Sequence, residues 1–146
     1  MLSLEGPLVE RLSAVPGLLG VHPMSDLEDI EKAGKPAPCV FLAYDGYQVI
    51  EQHRSRRAVR IETRWLVILA VKHAGRAGSG APARAAAAPL AEALLKSLLG
   101  WTPPAKYTPL LLATPPAPVF LAGALFYPLA VTTQQVIEPD RESALF

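Results

Sequence analysis

The strongest periodicity in the chain lies between Ala58 and Lys72, where the pattern of apolar and polar residues predicts a β-strand. Every second residue from Val59 to Val71 falls on one face, and all but Thr63 on that face are apolar. The opposite face begins with charged residues and then becomes apolar (Arg60, Glu62 and Arg64, then Leu66, Ile68 and Ala70). One end of this strand is therefore expected to face solvent on one side, and the other end to be covered on both sides.

A second strand is predicted just before it. Cys39 to Tyr44 is apolar at every position, which suits an inner strand covered on both faces. Asp45-Gly46 indicates a turn or a bulge, after which Tyr47 to Glu51 continues the strand. The two strands should pair as a long hairpin whose tip, Gln52 to Arg57, is polar and basic.

Two segments show helical periodicity. Leu4 to Leu12 places apolar residues at every fourth position, with Pro7 in its first turn. Pro82 to Leu99 carries a longer apolar stripe and is followed by Gly100, a residue suited to the left-handed conformation that ends helices. Pro89 either kinks this second helix or marks its true first turn.

The remaining segments predict shorter elements. A short strand is expected at Leu18 to His22, a loop or single helical turn at Ser25 to Glu31, and a flexible connector at Ala74 to Ala81. Near the end, Val119 to Val136 reads as a strand pair or a bent strand, with Pro128 confined to an edge or bulge. The predicted fold class is α/β of the α+β kind: a mixed, mainly antiparallel sheet with a long β-hairpin and helices packed on one face. We expect one domain over residues 1–146, with 137–146 as a mobile tail.

Composition limits the class of protein. The 146 residues are 51% hydrophobic and 18% charged with a formal net charge of +1, which excludes a disordered chain and a strongly basic nucleic-acid-binding protein. Cys39 is the one cysteine, so no internal disulfide can form. The start of the chain, with two acids and no base before Arg11, is unlike a secretory signal. The uncharged stretch from Tyr107 to Ile137 contains five prolines, so no membrane-spanning helix is expected there.

The side chains needed for catalysis or metal binding are few and scattered. The histidines His22, His53 and His73 are isolated, and Cys39 lies inside an apolar strand. Ser79 lacks the glycine spacing of a nucleophile elbow, and the acidic residues between Asp26 and Glu31 lack the pattern of a calcium loop. We therefore expect no enzyme, no metal site and no cofactor.

Charge is distributed unevenly along the chain. Met1 to Glu51 holds eight acids and three bases, Gln52 to Lys106 ten bases and two acids, and the remainder three acids and one base. Five arginines fall within eleven residues at the hairpin tip and its charged end (Arg54, Arg56, Arg57, Arg60 and Arg64). These are the candidate interaction residues.

The arginine cluster has three interpretations. It can simply solubilise the hairpin tip, or it can bind nucleic acid through phosphate contacts. Alternatively, a chain with a basic middle and acidic ends can associate with copies of itself around a ring, with the apolar stretch from Tyr107 to Tyr127 buried between subunits.

The order of these segments resembles that of a known family. PLVERLSAVPGL is followed by PAPCVFLAYDGY, RIETRWLVILAVK, a helix ending LLKSLLGW and finally GALFYPLAV. This order is similar to that of the tail terminator proteins of long-tailed bacteriophages, in particular the group of Mu-like phages and prophages, over roughly Leu4 to Val136. The most specific parts are Leu99-Gly100-Trp101 and the segment from Gly123 to Leu129, and both are structural rather than catalytic.

The resemblance implies a structural virion protein. Its members form a ring, here expected to be a hexamer, that caps the tail tube, ends its polymerisation and joins it to the head connector. The implied partners are copies of the chain itself, the tail tube protein and the head-side neck protein, with DNA passing through the lumen and no membrane involved. Assembly would occur in the cytoplasm of the bacterial host. A head-closure protein and a small nucleic-acid-binding module remain as alternatives.

Overall fold

The residues with the strongest alternation form the central strand of the fold. The computed structural model describes residues 1–24, 35–52, 54–55, 57–72, 80–121 and 123–140. Within them, β3 (Val59–Lys72) pairs antiparallel with β2 (Cys39–Gln52) on one side and with β6 (Ala124–Ile137) on the other. The predicted hairpin is confirmed. The bulge at Asp45-Gly46 is also confirmed, since the register shifts between Tyr44 and Tyr47 and Gly46 has a φ of +86°.

Three short strands complete the sheet. β1 (Val21–Met24) runs parallel to β2, while β4 (Leu111–Ala113) and β5 (Val119–Leu121) pair antiparallel with different parts of β6. The strand order is β1-β2-β3-β6-β4, with β5 also against β6. The described part of the chain is therefore an α+β fold with a mixed, mostly antiparallel sheet, as predicted.

Both helices contribute to the core on one face of the sheet. α1 (Glu5–Ser13) follows a short 3-10 turn at Leu2–Leu4, and α2 (Ala81–Leu98) follows β3 in the chain. Their buried side chains form one cluster with the face of β3 that carries Trp65, Val67 and Leu69. Among the helices that the structure describes, none is long and apolar enough to cross a membrane.

The ends of α2 follow from its sequence. Gly100 takes a left-handed conformation with a φ of +73°, which ends the helix as predicted. Pro89 lies in the interior of α2, on its exposed side, so the alternative that it marks the first turn is wrong. Proline has no backbone N–H, so the helix lacks one hydrogen bond at Pro89. The buried side chains before and after it, on one stripe from Ala83 to Leu98, keep the helix packed against the sheet.

The opposite face of the sheet has a smaller apolar cluster. It consists of Cys39, Phe41 and Ala43 on β2, Leu66, Ile68 and Ala70 on β3, and Ala130 on β6. These residues pair across the strands, for example Phe41 with Ile68. Both faces of β2 and β3 are therefore buried at this end of the hairpin, as the apolar run from Cys39 predicts.

The segment that follows α2 closes the core near the middle of the sheet. The backbone N–H of Gly100 donates to the carbonyl of Leu110 at 3.1 Å, and Tyr107 is buried. The Tyr107 hydroxyl accepts a hydrogen bond from the Met1 ammonium at 2.8 Å, while Thr133 donates to the Thr108 carbonyl at 2.6 Å. This segment therefore ties the start of the chain to β6.

Two short elements differ from their predictions. β1 begins at Val21 rather than Leu18, because the pairing positions on β2 start at Val40. β4 lies in a proline-rich stretch where no strand was expected. The strand pair predicted between Val119 and Val136 is confirmed, since β5 pairs with β6, and Pro128 lies in β6 between the residues paired with β5 and those paired with β4. The predictions for Ser25 to Glu31 and for most of the connector at Ala74 to Ala81, with Ser79, lie outside the described residues.

Trp65 is the largest fully buried side chain, with 1% exposure and its ring 5.2 Å from that of Tyr44. We predict that Trp65→Ala lowers the free energy of unfolding by about 3–5 kcal/mol, because the cavity it leaves cannot fill. Urea denaturation monitored by circular dichroism measures this. Trp101→Ala is the control, since Trp101 is half-buried and should cost clearly less; equal losses would contradict the assignment of Trp65 to the core.

Candidate interaction surface

The four candidate arginines that the structure describes occupy two different places. Arg54 and Arg57 lie in the turn between β2 and β3 and are exposed, and Arg57 has a φ of +52°. Arg56 lies outside the described residues. Arg60 and Arg64 lie on β3, on the face opposite the helices. The structure therefore divides the sequence cluster into a tip pair and a strand pair.

The two arginines on β3, Arg60 and Arg64, form ion pairs within the subunit. Arg64 Nε donates to Asp45 Oδ2 at 2.7 Å, and its terminal nitrogen donates to the Thr114 carbonyl at 2.8 Å. Arg60 is 3.9 Å from the Glu51 carboxylate on the neighbouring strand, a longer and more exposed ion pair. Arg64 thus links the bulge of β2 to the loop after β4, which is a structural role that its position in the sequence did not indicate.

The tip lies beside acidic residues of another strand. Gln52, Val59 and Ile137 form one row across β2, β3 and β6. The residues just beyond this row are Arg54 and Arg57 in the turn and Glu138 and Asp140 after β6, all of them exposed. One end of the sheet therefore carries two arginines in the turn between β2 and β3 and two acids after β6.

The same end of the sheet exposes apolar side chains, which sequence reasoning missed. Tyr47 and Val49 on β2 are 56% and 54% exposed, and Ile50, Val136 and Ile137 are exposed as well. The lengths of the elements could have indicated this exposure, because three strands of 14 residues extend further than the helices that cover them.

A second apolar surface runs along β4, β5 and the first half of β6. The residues that the sequence marked as a subunit-facing stretch include several exposed large side chains (Leu111, Leu112, Val119, Phe120, Leu121 and Tyr127). Phe120 and Tyr127 also line a groove of about 530 Å³ against α2, between Arg84 and Glu92. These exposed residues fit the expectation of an apolar surface between Tyr107 and Tyr127.

The described residues offer little for chemistry. No three His, Cys, Asp or Glu side chains in the described ranges are placed to hold a metal ion. Cys39 is buried, and burial raises the pKa of its thiol, which disfavours the nucleophilic thiolate. His22 packs against Phe41, and its pKa is lowered by burial and then by the charge of Lys35. These groups are parts of the apolar packing.

One comparison with known proteins identifies a family. The model of a family described as Phage tail terminator protein matches residues 3–142 of the chain. The match includes both helices and all six described strands, together with the exposed end of the sheet. A search of curated proteins finds no match to this chain.

Arg64 and Arg60 provide a matched pair for stability. We predict that Arg64→Ala lowers the free energy of unfolding by about 1 kcal/mol, because it breaks a partly screened ion pair and leaves the Thr114 carbonyl without this donor. Arg60→Ala should change it by less than about 0.5 kcal/mol, since its ion pair is long and exposed. Urea denaturation of both variants tests this; an equal effect would contradict a structural role specific to Arg64.

Proposed function

This chain belongs to the phage tail terminator protein family, and we propose that it forms a ring of six copies that caps the tail tube, ends its polymerisation and joins it to the head connector. Membership makes the protein a structural component of the phage tail and so of the virion. The proposal adds the ring, its six copies and its contacts with the tail tube and the head connector. The observation that carries it is the match over residues 3–142, which leaves no described element outside the family pattern.

The surfaces of the subunit support assembly with copies of itself. Apolar side chains at the hairpin end of the sheet and along β4 and β5 are exposed in a single subunit, and such patches mark sites of protein contact. The net charge of +1 allows copies to approach each other without strong repulsion. A ring buries these patches and still presents two further surfaces, one toward the tube and one toward the head.

The arginine cluster is our candidate for the assembly contacts. Arg54 and Arg57, with Arg56 between them in the sequence, would meet a neighbouring subunit or the next ring. A guanidinium group favours interfaces because its planar set of donors can bind carboxylates in pairs. Arg60 and Arg64 contribute to this surface mainly by holding β2, β3 and the β4–β5 loop in place. DNA would pass through the lumen during ejection without being a specific ligand.

We predict that the double variant Arg54→Glu, Arg57→Glu folds but does not terminate tails. Charge reversal at the tip opposes the contacts on which assembly depends, whereas the exposed tip contributes little to the free energy of unfolding. Circular dichroism checks folding, light scattering measures the mass of the native particle, and electron microscopy measures tail length after complementation of a terminator-deficient phage.

The control is Lys35→Glu with Lys96→Glu, which reverses the same number of charges on exposed residues far from the tip. Tails of normal length from the tip variant would overturn the role of the arginines. A wild-type chain that stays monomeric with tubes supplied would contradict the ring. Normal tails that lack heads in the absence of the protein would favour a head-closure role. Salt-sensitive binding of oligonucleotides by a monomer would favour the nucleic-acid module.

A further inference from the structure

The two outer long strands leave part of their edges open at the same end of the sheet. β1 pairs with Val40 to Ala43 of β2, so Tyr47 to Gln52 continue beyond it along an edge without a paired strand among the described residues. On the other side, β4 pairs with β6 as far as Thr132, and the last backbone contact is that of Thr108 with Gln134. Among the described residues, Gln135 to Ile137 extend β6 beyond that contact without a paired strand on this edge. Such edges favour contact with another chain.

The residues on these two edges differ in character. The β2 margin, which we define as Tyr47, Val49, Ile50 and Arg54, has three exposed apolar side chains along the strand, followed by the paired acid Glu51, and a base just beyond its end. The β6 margin, defined as Val136, Ile137, Glu138 and Asp140, is apolar along the strand and acidic at its end. Within the described residues, Arg54 and Glu138 take part in no ion pair of their own subunit.

The strand directions decide how two such margins can meet. β2 and β6 each run antiparallel to β3, so they run in the same direction and end at the same row. A rotation about an axis along the strands keeps this direction, and it therefore places the basic end of one β2 margin beside the acidic end of the next β6 margin. Two β2 margins related by a two-fold axis along the strands would instead place two basic ends together. Opposite charges favour the first arrangement.

From these observations we propose that the subunit interface of the ring joins the β2 margin of one copy to the β6 margin of the next. The inference rests on the proposed ring and deepens it, since it names the two surfaces. The contact is head-to-tail because the two margins are different surfaces of one molecule, and such a contact generates closed rings when its rotation closes. The apolar residues supply the buried area, and Arg54 with Glu138 fixes the alignment.

The test is a charge swap between the two margins. Arg54→Glu and Glu138→Arg alone should each raise the concentration at which half of the chains are assembled by about fivefold or more, because each places like charges together in every contact of the ring. The double variant Arg54→Glu, Glu138→Arg should return this concentration to near the wild-type value. Light scattering over a range of protein concentrations measures it, with cognate tail tubes present if assembly requires them.

Two exposed apolar positions test the rest of the contact. Val49→Lys should prevent assembly, because it places a charge in the apolar part of the β2 margin. Leu19→Lys is the matched control, since Leu19 is 62% exposed and lies in the loop before β1. Lys96→Glu is the matched control for the charge reversals, since Lys96 is an exposed base outside both margins.

The outcomes separate this inference from the proposed function. A wild-type ring whose mass is unchanged in Val49→Lys and in both single reversals overturns the margin contact and leaves the ring intact. If the single reversals prevent assembly and the double variant does not restore it, the pairing of Arg54 with Glu138 is overturned. If the ring stays intact but no longer binds tubes, the margin contacts the tube instead. A wild-type chain that never assembles overturns both proposals.

Discussion

The difference in length between strands and helices determines most of this fold's surface. Each of β2, β3 and β6 has 14 residues and is therefore about 46 Å long at about 3.3 Å per residue. α2 has 18 residues and spans about 27 Å at 1.5 Å per residue, and α1 has nine. The helices consequently cover only part of the sheet. The core around Trp65 lies under them, and the end with the arginine tip extends beyond them.

The sequence predicted the elements whose signals are local. The alternation from Val59 to Val71 gave the central strand and the face that carries Trp65, because a strand buried on one face must repeat every two residues. The apolar run from Cys39 gave a strand buried on both faces, and Gly100 gave the end of α2. In each case the physical cause lies within a few residues of its effect.

The features that sequence reasoning missed depend on contacts between distant segments. Arg64 belongs to the predicted basic cluster, yet it binds Asp45, 19 positions earlier, and the Thr114 carbonyl, 50 positions later. β4 has three residues in a proline-rich stretch, and its existence depends on the free edge of β6. The exposed Tyr47 and Val49 follow strand periodicity, so their pattern alone resembles that of core residues.

Charge and apolar area contribute differently to assembly of such a subunit. At physiological ionic strength the Debye length is about 8 Å, so charges on two separate copies interact strongly only when their margins are already close. Exposed ion pairs are also individually weak, at about 0–1 kcal/mol. In the proposed ring, the affinity between subunits would therefore come mainly from the apolar side chains that the helices leave uncovered, while Arg54 and Glu138 would select which edges meet. A chain with a net charge of +1 can combine both because Arg54 follows β2 and Glu138 follows β6, at separate edges of one sheet.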